Sequence, residues 1–146
     1  MPSWVEQGYQ EYAKRMLGDC QLILDEIPAG KRSKNASTAK IVEEEGVRLL
    51  KSLPKQSHIV TLDVKGWPWS TEQLAKNMGQ WMQDGKDISL LVGGPEGLSK
   101  DCQNAAHQSW SLSALTFPHP LVRVILAEQL YRAYSILKNH PYHRAG

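Results

Sequence analysis

The chain has 146 residues, of which 41% are hydrophobic and 22% are charged, and its formal net charge is +2. This length suits one domain with a core that needs no disulfide or metal. The calculated pI of about 8.5 lies below the ~9 that is typical of dedicated nucleic-acid binders, so charge alone does not indicate an RNA partner. No apolar run approaches the ~20 residues of a membrane span.

The two cysteines, Cys20 and Cys102, are isolated, and no CxxC pair is present. A zinc site requires clustered Cys and His ligands. His58, His107 and His119 show no ligand-type spacing, so they are interpreted as structural or surface residues. The N-terminus also lacks a secretory signal pattern. We therefore expect a soluble cytoplasmic protein that has reduced thiols, no metal and no membrane segment.

In the first half of the chain the sequence predicts two helices and two strands. Apolar residues spaced by three and four predict a helix over 3–17. The apolar run 21–27 is of strand type, and a loop rich in Pro, Gly and Ser follows at 28–37. A second helix ends near Lys51, and 58–63 is the next strand.

Ser70 and Gln73 occupy the two positions of a capping box, which predicts a third helix that ends at Asp84-Gly85. The later elements follow from apolar runs and the breakers between them: a strand at 88–92, a short helix from about 99, a strand at 111–116, a bend at 117–120 and a helix at 121–137. The last helix is apolar nearly all round and should be buried on more than one side. It should stop at Pro141, with the final residues hanging beyond it.

Alternating strands and helices with continuous apolar strands predict an α/β fold with a mainly parallel sheet. Ligands in such sheets bind beyond the carboxyl ends of the strands. Three loops meet that description: the loop after Leu62, GGPEG at 93–97, and TFPHP at 116–120. The glycines of 93–97 allow the backbone to approach a ligand closely, although a plain strand-to-helix turn is an equal interpretation. GGPEG is neither a Walker loop nor a dinucleotide fingerprint.

Positive residues are concentrated in two places. Lys31, Arg32 and Lys34 lie in one loop and could contact phosphate, but a solvated loop is the commoner role for such a run. The C-terminal segment combines His140, Tyr142, His143 and Arg144. These groups can stack on a base, hold a phosphate and move a proton, whereas the alternative is a frayed terminus.

Glu128 and Arg132 are spaced as a favourable i,i+4 pair on the last helix. A simple helix pair is one interpretation. The helix is otherwise so apolar that the pair could instead line a site or a subunit interface. The sequence leaves both open.

Six segments within residues 27–144 resemble, in order, the RlmH family of the SPOUT superfamily: IPAGKRSKN, IVTLD, LLVGGPEGLS, SWSLSALTFPHPLVRV, EQLYRAYSI and NHPYHR. The resemblance implies a single methyltransferase domain over 1–146, with helices on both faces of the sheet and a C-terminal trefoil knot. Family members begin with a strand before the first helix, and this chain starts at that helix. The resemblance also implies a homodimer that uses S-adenosylmethionine to methylate N3 of a pseudouridine in 23S ribosomal RNA within the ribosome.

The same resemblance implies the site residues. Donor binding falls on Leu62, Gly93, Gly94, Leu112, Ser113, Ala114, Leu115, Thr116 and Phe117. The substrate-side groups are Arg132, Tyr142, His143 and Arg144. A general base should have a pKa near the working pH, which makes His143 the first candidate for the N3 proton and Tyr142 the second.

Two other functions remain open from the residues alone. A non-catalytic RNA-binding or ribosome-binding module would bind RNA without affinity for S-adenosylmethionine. An α/β enzyme using another nucleotide cofactor would normally carry a Walker or spaced-glycine loop, and the sequence has neither.

Overall fold

The computed structural model describes residues 2–16, 18, 20–27, 37–93 and 96–145. The elements are α1 (Ser3–Ala13), α2 (Thr38–Ser52), β1 (His58–Pro68), α3 (Thr71–Asp84), β2 (Ile88–Val92), α4 (Lys100–Ala105), β3 (Gln108–Ser111), α5 (His119–Leu137) and a C-terminal 3-10 turn (Pro141–Ala145). They fall into two compact units. The helical unit comprises Met1–Leu24, Trp69–Gly85 and Phe117–Gly146, and the sheet unit comprises Asp25–Pro68 and Lys86–Thr116.

The sheet unit contains three parallel strands in the order β2-β1-β3. Its core includes Val60 and Leu91, which are almost fully buried on neighbouring strands. The predicted α/β class with a parallel sheet is thereby confirmed for the described residues. β1 is longer than predicted and reaches Pro68, with an irregularity between Leu62 and Trp67.

The predicted strand at 111–116 is wrong, because β3 ends at Ser111. Beyond it, the Ser111 hydroxyl donates to the Ser113 carbonyl, and the Leu115 N–H donates to the Ser113 hydroxyl, each over 3.0 Å. Serine side chains that bond nearby backbone groups compete with the strand ladder. The segment 112–116 is therefore a turn-rich loop.

The predicted strand at 21–27 is also wrong, since those residues belong to no strand among the described elements. Ile23 is 75% exposed and Leu24 is 37% exposed. A short apolar run does not by itself specify a strand, because a strand also needs a neighbour to complete its ladder. Within the described sheet, β2 and β3 each pair with β1.

In the helical unit, α1 and α3 both pack against α5. α1 buries Val5, Tyr9 and Ala13 and ends four residues before the predicted limit of the 3–17 helix. α3 confirms its predicted ends: Ser70 forms the capping box with Gln73, and Gly85 closes the helix in the left-handed region at φ 70°.

α5 is buried along several faces, as predicted from its apolar composition. Leu126, Ala127, Leu130, Tyr131 and Ala133 are all less than 9% exposed. Proline at the start of a helix costs no hydrogen bond, so Pro118 and Pro120 are compatible with a start at His119, slightly before the predicted position.

α5 ends at Leu137, as predicted, but the residues beyond it correct the sequence prediction. The His140 N–H donates to the Ser135 carbonyl over 2.8 Å, and the Asn139 N–H donates to Ile136 over 3.2 Å. Asn139 has a φ of 56°, so this is a Schellman motif with Asn in the left-handed position. The helix therefore ends before Pro141. The last residues do not hang beyond it but form the 3-10 turn, which packs on α5.

Other sequence expectations concern single residues. Cys20 and Cys102 are not joined by a disulfide. His58 stacks on His107 with ring centroids 4.9 Å apart, and its Nε2 lies 2.7 Å from Oε1 of Gln108, in keeping with a structural role. The described residues contain no group of three or more His, Cys, Asp or Glu side chains arranged to hold a metal ion. None of the helices described is both long and apolar enough to cross a membrane.

Candidate active site

Two loops leave the sheet unit directly after β2 and β3, whereas the predicted loop after Leu62 is wrong, because β1 continues to Pro68. In the register of the parallel strands, Leu62 lies opposite both Val92 of β2 and Trp110 of β3. Gly93 follows Val92 directly, and Leu112 comes two residues after Trp110. The sequence-predicted positions Leu62, Gly93 and Leu112 are thus brought to the same edge of the sheet unit. Gly94 lies outside the described residues, and Phe117 belongs to the helical unit.

Gly93 is required by the loop's own packing. A Cβ added at this position would lie 2.6 Å from the carbonyl carbon of Gly97 and 2.9 Å from the amide nitrogen of Leu98. Such distances are far below van der Waals contact, so any larger residue would displace the backbone. The backbone of Gly97 and Leu98 therefore lies directly against Gly93.

The loop that follows β3 is held in shape by Ser113 and exposes its apolar tip. Leu115 is 68% exposed. Ala114 and Thr116 are also exposed. The peptide groups of this loop lie outside any helix or strand, so an apolar ring bound here would meet both a side chain and backbone hydrogen-bonding groups.

In the helical unit, the C-terminal turn seats Tyr142 on α5. The ring centroid of Tyr142 lies 4.7 Å from that of Tyr131, and Cζ of Arg132 lies 5.0 Å from the Tyr142 centroid. Tyr12 of α1 adds a third ring, 6.5 Å from Tyr142. Aromatic and cation–π contacts at these distances are favourable, so the turn is a packed element and not a frayed end.

Glu128 is the acceptor that joins the turn to α5. Its carboxylate accepts from the Tyr142 hydroxyl over 3.1 Å, from Nε of Arg132 over 3.0 Å and from Nε2 of Gln129 over 2.7 Å. Its side chain is 19% exposed, and that of Arg132 is 23% exposed. The Glu128–Arg132 pair is therefore part of a larger hydrogen-bonded group, and its role in lining a site or a subunit interface stays a prediction.

Burial and the Glu128 carboxylate raise the pKa of Tyr142 to about 12. Both effects penalise the phenolate, because it would be poorly solvated and would face a like charge. At neutral pH the phenol is therefore protonated and acts as a hydrogen-bond donor. This disfavours Tyr142 as a general base and leaves His143 as the candidate on the turn.

His143 and Arg144 differ in their surroundings. His143 is half-buried, and its Nδ1 lies 3.2 Å from the hydroxyl of Ser135. Arg144 is exposed and donates to Oδ1 of Asn139 over 3.4 Å. The imidazole is therefore held against α5, while the guanidinium faces solvent.

The sequence reasoning missed several residues around this turn. Tyr12 and Tyr131 extend the aromatic layer, and Arg15 places its Cζ 5.8 Å and 5.5 Å from their ring centroids. Ser135 contacts His143. Positions 128, 131, 132 and 135 share one face of a helix, so this periodicity could have identified Ser135 and Tyr131. The basic loop with Lys31, Arg32 and Lys34 lies outside the described residues.

Comparison with known proteins identifies the chain's relatives. Residues 1–143 match the family described as "Predicted SPOUT methyltransferase".

The chain belongs to the SPOUT methyltransferase family.

A relative from Methylococcus capsulatus, named ribosomal RNA large subunit methyltransferase H, is 57% identical over 144 residues, which cover 99% of this chain and 93% of the relative. The family recognised from the sequence motifs is thereby confirmed. As a SPOUT methyltransferase, the chain is an enzyme that transfers a methyl group from a donor. The two groups of residues described above, the sheet-edge loops and the C-terminal turn, are the candidates for its donor and acceptor sides.

Proposed function

We propose that this SPOUT methyltransferase transfers a methyl group from S-adenosylmethionine to N3 of a pseudouridine in 23S ribosomal RNA on assembled ribosomes. The proposal is carried by the 57% identity, over nearly the full length of both chains, to a protein named ribosomal RNA large subunit methyltransferase H. The pseudouridine, its N3 atom and the ribosome follow from the resemblance of the sequence motifs to the RlmH family. The composition of the C-terminal turn supports an RNA substrate.

On the donor side, S-adenosylmethionine would be held by Leu62, Gly93, Gly94 and the stretch 112–117. The described part of this set fits the molecule. An adenine ring needs an apolar surface and backbone hydrogen-bonding groups, which the exposed Leu115 and its loop provide. Gly93 belongs to this set through the resemblance to the family, and the space that a side chain would take there is filled by the backbone of Gly97 and Leu98. When bound, S-adenosylmethionine supplies a methyl group already activated by its sulfonium.

On the substrate side, the C-terminal turn would bind the RNA. Aromatic rings and guanidinium planes are the groups on which unstacked bases stack. Arg132 and Tyr142 form such a pair at 5.0 Å. Arg144 is exposed and can contact a phosphate, which strengthens binding in a salt-dependent manner.

The protein must also remove the N3 proton and stabilise the negative charge that develops on the base. His143 would accept the proton, because the phenol of Tyr142 stays protonated at neutral pH. Arg132, which Glu128 holds in place, would stabilise charge on a flanking carbonyl oxygen. Holding the base in line with the methyl group can lower the activation free energy by ~7–11 kcal/mol.

The remaining expectations complete the proposal. The enzyme would act as a homodimer in the cytoplasm, with each donor site next to the partner subunit, and its single domain over 1–146 would carry the trefoil knot of its family. In the helical unit, α1 and α3 cover part of the apolar surface of α5. The sedimentation coefficient at micromolar concentration tests the dimer, and a monomer would contradict it.

Methyl transfer to ribosomes tests the function directly. Purified protein is incubated with S-adenosylmethionine and ribosomes that lack the modification, and the digested 23S RNA is analysed by mass spectrometry. We expect 3-methylpseudouridine, with little product on RNA freed of ribosomal protein. Calorimetry with S-adenosylmethionine separates the main alternative, because a non-catalytic RNA-binding module would bind ribosomes without binding the donor. A methyl group found on another nucleoside would refute the proposed substrate.

A further inference from the structure

Ser135 lies beneath the C-terminal turn and is 1% exposed. Its hydroxyl has two partners. Oγ lies 2.6 Å from the carbonyl oxygen of Arg132, one turn earlier in α5, and 3.2 Å from Nδ1 of His143. The same residue's carbonyl accepts from the His140 N–H in the motif that ends α5. Ser135 therefore fixes both the reversal of the chain and the imidazole that follows it.

The direction of these hydrogen bonds is determined by counting protons. A carbonyl oxygen can only accept, so the single proton of the Ser135 hydroxyl is donated to Arg132. The hydroxyl must then act as acceptor toward His143, and Nδ1 must carry a hydrogen. A neutral imidazole carries only one N–H, so Nε2 of His143 retains its lone pair. Among the described residues, no hydrogen bond to this Nε2 is formed.

We propose that Ser135 is a positioning residue that holds neutral His143 in its Nδ1–H tautomer, with Nε2 as the proton acceptor of the methyl transfer. This inference rests on the proposed function. The proton leaves N3 of the base and binds Nε2, and the resulting imidazolium keeps its Nδ1–H on the Ser135 oxygen. N3 uses its freed electron pair to bond the methyl carbon, while the bond from that carbon to the sulfonium breaks and its electron pair stays on the sulfur of the departing S-adenosylhomocysteine.

The role given to Ser135 follows from a general property of histidine side chains in proteins. The partner of one ring nitrogen determines which tautomer forms and therefore which nitrogen is available for chemistry. Without the Ser135 oxygen, His143 could adopt either tautomer and could rotate about its side-chain bonds. Part of the population would then present an N–H to the substrate in place of a lone pair.

The tautomer can be measured without activity. In ¹⁵N-histidine-labelled protein at a pH where His143 is neutral, the chemical shifts of the two ring nitrogens identify the protonated one, and His143→Gln assigns the signal. We expect the Nδ1–H form in the wild type and a mixture in Ser135→Ala. Wild-type protein in the Nε2–H form would overturn the inference. This result can be read whether or not the chain methylates ribosomes, so it is separable from failure of the proposed function.

Turnover provides the second test. In Ser135→Ala we expect kcat to fall by about 10-fold with KM for ribosomes nearly unchanged, a smaller loss than the ~10²–10⁴-fold that a general base contributes. Ser135→Thr retains a hydroxyl at the same position and should restore most of the rate. A wild-type kcat in Ser135→Ala, or an equal loss in the Thr and Ala variants with folding intact, would overturn the positioning role.

Discussion

The phenol of Tyr142 donates a hydrogen bond of 3.1 Å to the carboxylate of Glu128, which also accepts from Nε of Arg132. One half-buried acceptor thus holds two of the four residues proposed to face the RNA. Because the acceptor lies on α5, the C-terminal turn has a fixed position relative to that helix. The position of the turn can be tested by measuring the free energy of unfolding, the titration of the Tyr142 phenol and methyl transfer.

Removing the Tyr142 hydroxyl should weaken the attachment of the turn without removing it. In Tyr142→Phe the ring still packs on Tyr131 and Arg132, and we expect the free energy of unfolding to fall by about 1 kcal/mol, the usual worth of one hydrogen bond. Tyr142→Ala also loses the ring contacts and should cost at least ~2 kcal/mol. Urea unfolding measures both variants. If the two variants are equally stable, the ring contacts contribute nothing.

The raised pKa of Tyr142 predicts a loss of stability in alkali. The phenol ionises near 10 in the unfolded chain and at about 12 in the folded one. The folded state therefore binds the proton more tightly, and its stabilising effect is complete below pH ~10 and is lost as the pH rises toward ~12. We expect the stability advantage of wild type over Tyr142→Phe to shrink across this window. Ultraviolet absorbance of the phenolate locates the titration, and a normal pKa would contradict the prediction.

Deleting residues 141–146 should separate the two sides of the reaction. Because the donor loops are formed by other segments, we expect methyl transfer to be abolished while S-adenosylmethionine still binds. Stability should also fall, since the turn packs on α5. Deletion of residues 145–146 alone is the matched control and should leave activity intact. Loss of donor binding on the longer deletion would instead make the turn part of the cofactor site.

Arg144 should contribute to RNA affinity through a single charge. Its side chain is exposed, so Arg144→Ala should barely affect folding. We expect weaker binding to ribosomes and a slope of log K against log salt that is shallower by about 0.7–0.9, the value for one phosphate contact. Lys76→Ala removes the same charge from an exposed position on α3 and serves as the control. Equal slopes in both variants would indicate that Arg144 contributes only net charge.

Leu115 provides a better probe of the donor site than Gly93. Gly93→Val would push the backbone of Gly97 and Leu98, so a loss of binding could reflect a distorted loop. Leu115 is 68% exposed, and Leu115→Ala should therefore retain the fold while lowering donor affinity by about 5-fold to 10-fold, the worth of lost apolar contact with a ring. Val47→Ala, at an exposed position on α2, is the control. Unchanged affinity in Leu115→Ala would move the donor away from this loop.

The parts of the fold that depend on local chemistry could be predicted from the sequence. The limits of α3 follow from Ser70, Gln73 and Gly85, which act within one turn of each helix end. The placement of Leu62 opposite Val92, the residue before Gly93, agrees with the predicted parallel sheet. Donor binding at these positions stays a prediction.

The parts that depend on distant partners could not be predicted. The run 21–27 has the composition of a strand, but pairing depends on a neighbour that composition does not reveal. The C-terminal turn was ambiguous for the same reason, because the ring of Tyr142 packs against Tyr12 from the other end of the chain. The end of β3 depends on the hydroxyl of Ser113, which accepts a hydrogen bond from the Leu115 N–H. The residue pattern of 111–116 does not show whether this hydroxyl bonds to the nearby backbone or leaves the segment free to form a strand.

The Schellman motif at Asn139 constrains how the chain can vary in length. Ser135 and His143 meet only because the reversal at Asn139 is followed at once by the turn from Pro141. One residue inserted upstream of Asn139 would lengthen α5 and carry the turn ~100° around the helix axis. Both the contact between His143 and Ser135 and the contact between Tyr142 and Glu128 would then be lost together. Insertions and deletions between 135 and 143 should therefore be absent from active relatives, even where the side chains of that segment differ.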